Sequence, residues 1–517
     1  MNGARALIQT LVDCGVDVCF TNPGTSEMHF VAALDEVEPM RGVLCLFEGG
    51  ATGAADGYGR MADKPAGTLL HLGPGLGNGF ANLHNARRAH TPIVNIVGDH
   101  ATYHKQYDAP LESDIDAVAG ACSGFVRRST KPDEVATDAA ATVAAAMSSP
   151  NRVATLILPA DVCWLEADGP VAPIAPEAST APSVELVEEL AGVFRGGSNT
   201  VLLVGGRVLR EAGQVAATRI AAATGARVLC ETFPARQERG AGLPVIDRLA
   251  YLAEFAQMQL DGATDLVVVD TAAPISFFAY PEKASVLSPE GCEVREVDAA
   301  IDPVALLTAV ADTLDAPTEV PVAAASRPEL PTGPLTSETV AQALGALLPD
   351  DAVIVDEANT SGLFIPGATA GAPRHDWLCL TGGAIGIGIP LATGAAVACP
   401  DRKVLCLEAD GSAMYTLQAL WTQVRENLDV VTVIFANHSY AVLNMELNRV
   451  GAAEVGPKAL KMLDLTGPTL DFVALAQGMG VAASRATTSE EFVDQLREAL
   501  STKGPKLIEA VVPPLGL

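Results

Sequence analysis

Two oxygen-bearing side chains stand at a separation that suits a metal ion. Asp410 follows the apolar run "KVLCLEA", and Asn437 follows the apolar run "VVTVIFA". Both runs read as buried strands, and "GSAMYTLQALWTQV" between them reads as a helix. The two residues lie 27 positions apart, the size of one strand–helix–strand crossover. A right-handed crossover puts both at the carboxyl ends of parallel strands, where α/β folds bind ligands. A carboxylate, an amide oxygen and a backbone carbonyl from the next turn form a hard oxygen set. Mg²⁺ takes such a set and completes its octahedron with phosphate oxygens and water. The N–H groups of Gly411 and Ser412 open the helix and suit a phosphate. Asp-Gly-Ser alone reads as a helix cap; the asparagine at crossover distance turns the reading toward a metal and a diphosphate.

Other segments carry candidate chemistry. In "GVLCLFEGGATGAADGYGRMA" (42–62) a strand leads to Glu48 and then to a helix of small residues that permits close packing. A lone glutamate after a strand is usually solvated. "LLHLGPGLGNGFANLHNA" (69–86) places His71 beside a glycine-rich loop, with Asn78, Asn82 and Asn85 expected at turns and helix ends. Glycines 73, 75, 77 and 79 do not have dinucleotide-fingerprint spacing, and no phosphate-binding P-loop is present. "LTGGAIGIGIP" (380–390) taken alone is a glycine-rich turn before a buried helix.

The elements that must position these residues alternate from end to end, apolar strands with Ala/Leu-rich helices. That pattern predicts an α/β fold of doubly wound parallel sheets. The chain of 517 residues exceeds one ordinary core. Two stretches rich in Pro and Ala, 166–186 and 316–336, read as linkers. They divide the chain into 1–165, 187–315 and 337–517. The outer thirds open alike, with helix, strand and polar turn, which suggests one shared topology.

Acids outnumber bases 62 to 33, for a net charge of −29. Nucleic acid and anionic membrane are therefore poor partners. No apolar run approaches the roughly 20 residues of a membrane span. The N-terminal segment lacks signal-peptide character. A cytoplasmic location is expected. The ten cysteines show no metal-binding spacing and read as reduced, mostly core residues.

"ADG" at 409–411 and "AN" at 436–437 resemble the thiamine diphosphate motif, Gly-Asp-Gly followed at about 25–30 residues by Asn-Asn. Across nearly its whole length the chain resembles the thiamine-diphosphate-dependent 2-oxo acid decarboxylases and carboligases, which include benzoylformate decarboxylase and acetohydroxyacid synthase. Ala409 and Ala436 depart from that motif; Asp410 and Asn437 keep it. The resemblance implies pyrimidine-binding, central and diphosphate-binding domains. It implies Mg²⁺ held by Asp410, Asn437 and the Ser439 carbonyl. Asn359 and Thr360, in "DEANTS" (356–361), with Gly411, Ser412 and Tyr440, would line the diphosphate site. Glu48 would hydrogen-bond N1′ of the aminopyrimidine, favouring the imino form whose N4′ removes the thiazolium C2 proton. The Gly383 carbonyl would accept from N4′, and Ile385 would wedge the cofactor into its bent shape. Thr25, in "NPGTSEMHF" (22–30), and His71 would meet the substrate carboxylate.

The decarboxylase's second histidine has no counterpart, for no histidine lies between His104 and His375. Ala279 or Tyr280 stands in the matching stretch "APISFFAYPEKA" (273–284). Slower protonation there favours carboligation. Val442 and Leu443 are expected to wall the substrate pocket, and Glu446 falls where the aryl decarboxylase has a phenylalanine. Some relatives of this fold bind FAD through the middle domain; the short middle third here has no dinucleotide fingerprint, and FAD is not expected. The resemblance implies a small 2-oxo acid substrate. It also implies a homodimer at minimum, commonly a homotetramer, with Glu48 and Asp410 from different subunits. A 2-hydroxyacyl-CoA or oxalyl-CoA lyase, and a catalytically weak regulatory homologue, are the alternatives.

Overall fold

A computed structural model describes residues 1–451 and 455–515. Three sheets organise it. The first contains β1 (Val18–Asn22), β2 (Arg41–Leu44), β3 (Ala66–Leu70), β4 (Ile93–Asp99), β5 (Phe125–Arg128) and β6 (Val153–Pro159), in the order β2-β1-β3-β4-β6-β5. All its pairings are parallel. Between β6 and the next sheet comes one Pro-rich stretch. There the chain runs from the helix Ala160–Trp164 to the helix Val184–Phe194 without a helix or named strand. Next in the chain are β7 (Thr200–Val204), β8 (Arg227–Cys230), β9 (Gln237–Arg239), β10 (Asp247–Arg248), β11 (Asp265–Val269) and β12 (Glu293–Glu296). Five of these form a parallel sheet in the order β10-β8-β7-β11-β12.

The third sheet holds β13 (Ala352–Glu357), β14 (His375–Cys379), β15 (Val404–Ala409), β16 (Val430–Ala436), β17 (Ala482–Ala486) and β18 (Lys506–Val511), in the order β17-β18-β16-β15-β13-β14-β9. Its own six strands, counted along the chain, repeat the order of the first sheet, 2-1-3-4-6-5. The shared topology suggested by the two similar openings is therefore present.

The edge strand β9 departs from the parallel-sheet expectation. It comes from the middle third and pairs antiparallel with β14. The Arg239 and Arg248 guanidiniums lie 5.0 and 5.1 Å from the centre of the buried Trp377 ring of β14. These cation–π contacts tie the middle of the chain to the third sheet.

The outer sheets meet through two helices, Glu48–Ala62 and Gly388–Ala398. A β-carbon at Gly57 would stand 2.0 Å from the Leu391 carbonyl oxygen, and one at Gly394 would stand 1.8 Å from that of Ala54. The small residues of "EGGATGAADGYG" thus let two backbones touch. All ten cysteines are free, and seven are buried.

Candidate active site

Asp410 and Asn437 follow the adjacent parallel strands β15 and β16, as the crossover requires. The turn after β16 folds back onto Asp410: the His438 N–H donates to Asp410 Oδ2 at 2.6 Å. The Gly411 N–H donates to Oδ1 at 2.8 Å, and the Ser439 N–H to Asn437 Oδ1 at 2.9 Å. Burial pushes the Asp410 carboxyl above its ordinary value, against the pull of these N–H groups. A divalent cation would reverse that push.

Among the described residues no three His, Cys, Asp or Glu side chains cluster to hold a metal by themselves. A cation at Asp410 must therefore take oxygens from an amide, the backbone and a ligand, which is the donor set of Mg²⁺ bridging to phosphates. The residues fit a magnesium diphosphate. Asn359 Nδ2 donates to Ser412 Oγ at 3.1 Å, beside the N-terminus of the helix that Asp410 opens. Thr360 lies in the same 3₁₀ turn, Asn359–Gly362. Tyr440 lies over Gly411, where a β-carbon would stand 2.5 Å from its ring. Ser361, not singled out in the sequence, accepts from Asn437 Nδ2 at 3.4 Å.

The two departures from the motif are conformationally harmless. Ala409 has φ −79° and ψ 146°, ordinary extended backbone that needs no glycine. Ala436 is fully buried at the end of β16.

The segment with Gly383 and Ile385 is held from two sides. Beneath it, the Glu357 carboxylate accepts from the Gly386 and Gly388 N–H groups, at 2.7 and 2.5 Å. Glu408, the other acid of "LEADG", faces Glu357. Burial and the facing carboxylate push Glu408 well above the usual range. Above it, Asn85 Nδ2 donates to the Ala384 carbonyl at 2.8 Å, and His84 Nε2 lies 3.1 Å from the Gly382 carbonyl. Asn82 Nδ2 spans the Gly49 carbonyl at 2.8 Å and that of Gly386 at 3.4 Å. Of the asparagines expected at turns, Asn82 and Asn85 are clamps instead. The glycine-rich "loop" after His71 is the start of a helix, Leu72–Arg88, and their mid-helix face meets the segment. Gly383 takes φ +75°, a backbone that side chains rarely adopt.

Glu48 opens the helix Glu48–Ala62 and is 9% exposed. Asn78 Nδ2 donates to its Oε2 at 3.1 Å. His71 occupies the N-cap position of Leu72–Arg88, and its Nδ1 lies 2.8 Å from Glu27 Oε2. Leu72 beside it takes φ 51°, a strained conformation that turns the chain there. Ser26 bonds both Glu27 and His71. Thr25 is exposed in the adjoining turn; Ser26 and Glu27 are the residues that meet the histidine. The sequence carried a signal for Glu27, an acid one turn into a helix start, but no signal for its reach across β1 and β3.

The comparisons agree with this geometry. Residues 1–119 match the thiamine pyrophosphate enzyme N-terminal TPP binding domain, and residues 368–510 match its C-terminal TPP binding domain. The chain belongs to the thiamine pyrophosphate enzymes. A Mycobacterium tuberculosis relative, provisionally named acetolactate synthase large subunit IlvX, is 61% identical over all of both chains. The benzoylformate decarboxylase of Pseudomonas aeruginosa is 32% identical over 96% of each. In fold, a thiamine diphosphate-dependent 4-hydroxybenzoylformate decarboxylase from Rhodococcus jostii superposes with a TM-score of 0.86 over 99% of both chains, at 23% identity. This thiamine pyrophosphate enzyme is thus similar to both decarboxylases and acetolactate synthases. No helix among the described residues is long and apolar enough to cross a membrane.

Proposed function

We propose that this enzyme decarboxylates a small 2-oxo acid with thiamine diphosphate and Mg²⁺, releasing an aldehyde or joining the acyl unit to a second carbonyl. The observation that carries the reading is the pairing of Asp410 and Asn437 at adjacent strand ends with the clamped Gly383–Ile385 segment. Bound thiamine diphosphate supplies the electron sink for the bond to CO₂. Asp410, Asn437 and the Ser439 carbonyl would hold Mg²⁺ against the diphosphate, with Asn359, Thr360, Gly411, Ser412 and Tyr440 around it. Gly383 would offer its carbonyl to the aminopyrimidine, and Ile385 would support the bend. Glu48 would hold a proton at the pyrimidine ring. His71, oriented by Glu27, would orient the substrate carboxylate and move protons near it.

The chain's 273–284 stretch has no histidine, which supports carboligation beside aldehyde release. The ordinary backbone at Ala409 speaks against a catalytically dead homologue. Against a flavin, the middle third carries no dinucleotide fingerprint. Two chains would complete each site, Glu48 facing the cofactor of its partner.

The test is product analysis by NMR with thiamine diphosphate, Mg²⁺ and a panel of 2-oxo acids, using Glu48→Gln as control. Aldehyde or acyloin from the parent enzyme, lost in the control, supports the reading. No product from any 2-oxo acid overturns it and points to acyl-CoA substrates.

A further inference from the structure

The central sheet carries a cavity that the reaction above does not use. In the order β10-β8-β7-β11-β12 the chain goes from β7 to β8 and β10 on one side, then to β11 and β12 on the other. Such a reversal leaves a crevice at the carboxyl ends of the strands, where open α/β sheets bind ligands. The crevice here has a volume of about 150 Å³, the size of an interior hole that holds one benzene ring. Leu203, Leu249, Ile275 and Leu287 make its walls apolar, and Glu231 and Thr271 bring polar atoms into it. Among the described residues no Lys, Arg or His lines it.

The glycine turn after β7 has the form of a phosphate site, but its N–H groups are taken. The Gly206 N–H donates to Glu231 Oε1 at 3.1 Å, and the Arg207 N–H to Asp270 Oδ2 at 2.6 Å. A β-carbon at Gly205 would stand 2.7 Å from Glu231 Oε1, so the carboxyl group itself fills the turn. The Thr271 hydroxyl donates to Glu231 Oε2 at 3.1 Å. Each oxygen thus accepts one bond and keeps a second acceptor position. Burial pushes the Glu231 carboxyl up to about 7; Asp270 adds to that push, and Arg60 opposes it. Arg60 is already paired with Asp56 at 2.5 Å. An anion finds no free donor at this turn, whereas a cation finds a carboxyl group without a counter-charge of its own.

We propose that this crevice is an effector site for a small apolar molecule ending in one ammonium group, which Glu231 receives. The apolar walls take the body of the molecule, and the ammonium gives the carboxylate its counter-charge. Phe277 connects the site to the cofactor segment. Its ring lines the crevice and lies 3.8 Å from a β-carbon placed at Gly383. It also packs against the Phe233 and Tyr251 rings, at 5.4 and 5.0 Å. A guest that displaces Phe277 therefore alters a contact of the Gly383–Ile385 segment. The inference depends on cofactor binding and not on which 2-oxo acid reacts.

The experiment is calorimetry on the full chain with two probes of one shape, isopentylamine and isopentanol, at physiological ionic strength. The amine is expected to bind about 10-fold tighter than the alcohol. Equal binding by the parent overturns the inference without any variant. The net charge of −29 attracts any ammonium loosely, so Glu231→Gln is the deciding variant. It keeps the shape of the site, should bind the alcohol as the parent does, and should lose the preference for the amine. A preference that survives there belongs to the overall charge and overturns the inference. Fluorescence titration with thiamine diphosphate and Mg²⁺, with and without saturating isopentylamine, reads the coupling. The apparent cofactor affinity should change by about 5-fold or more, and Phe277→Ala should abolish that change. An unchanged cofactor affinity in the parent overturns the effector role.

Discussion

A β-carbon on Gly388 would stand 2.1 Å from Glu408 Oε2. The missing side chain leaves room for an acid pair under the segment that carries Gly383 and Ile385, and the Gly388 N–H is itself held by Glu357. Gly388→Ala should therefore cost about 1–3 kcal/mol of stability by overpacking and weaken thiamine diphosphate binding. Gly367→Ala is the control, for a β-carbon there meets nothing within 4 Å. Urea unfolding of both variants is the check; equal midpoints would show that Glu408 yields freely.

Asp410→Ala should remove the effect of Mg²⁺ on cofactor affinity. The buried carboxylate is bonded only to N–H groups in the contacts described, so the cation is its natural counter-charge. Fluorescence titration with thiamine diphosphate, in Mg²⁺ and again in EDTA, should give at least about a 100-fold difference for the parent and little for the variant. An undiminished Mg²⁺ effect in the variant would move the metal elsewhere.

Glu27→Gln should lower kcat by about 100-fold or more. Glu27 is 1% exposed and bonds the Gly24 N–H, Ser26 and His71. The amide keeps the shape but loses the charge that orients the imidazole. Steady-state kinetics should show the loss in kcat with KM little changed. An unchanged kcat would reduce Glu27 to a structural residue.

The juxtaposition of Asp410 and Asn437 was legible in the sequence because a βαβ crossover converts chain distance into spatial position: residues 410 and 437 could hardly be elsewhere. The repeated topology of the outer sheets was legible for the same reason, through local periodicity. The clamps were not. Asn82 and Asn85 bond carbonyls about 300 residues away, and no local pattern encodes which helix face meets which loop. The strand β9 escaped notice because three residues, Gln237–Arg239, carry no periodicity. Glu408 was visible as an acid at a strand end, yet its partner Glu357 lies on a neighbouring strand, a relation set by register alone.

Stability should fall as pH rises from about 4.5 to about 7, through Glu231 at the end of β8. Burial raises its carboxyl from 4.5 to about 7, while the Gly206 N–H and Thr271 hydroxyl hold the charged form only in part. The folded chain therefore binds this proton more tightly than the unfolded one. Its contribution is complete below about pH 4.5 and is lost as pH rises through about 7. Glu231→Gln should be stabilised relative to the parent at pH 8 more than at pH 5. Melting curves across that range test this; a constant difference between the two proteins would remove Glu231 as the cause.

Mixed subunits decide whether each site draws on two chains. Glu48→Gln removes the pyrimidine contact, and Asp410→Ala removes the metal contact. Each variant alone should be inactive, by about 100-fold or more. If Glu48 of one chain serves the Asp410 site of the other, a dimer of one variant with the other contains one intact site and one doubly damaged site. Co-expression with two affinity tags isolates that mixed species, which should recover activity near half that of the parent. Sites built within single chains would leave both damaged, and the mixed dimer would stay as inactive as either variant.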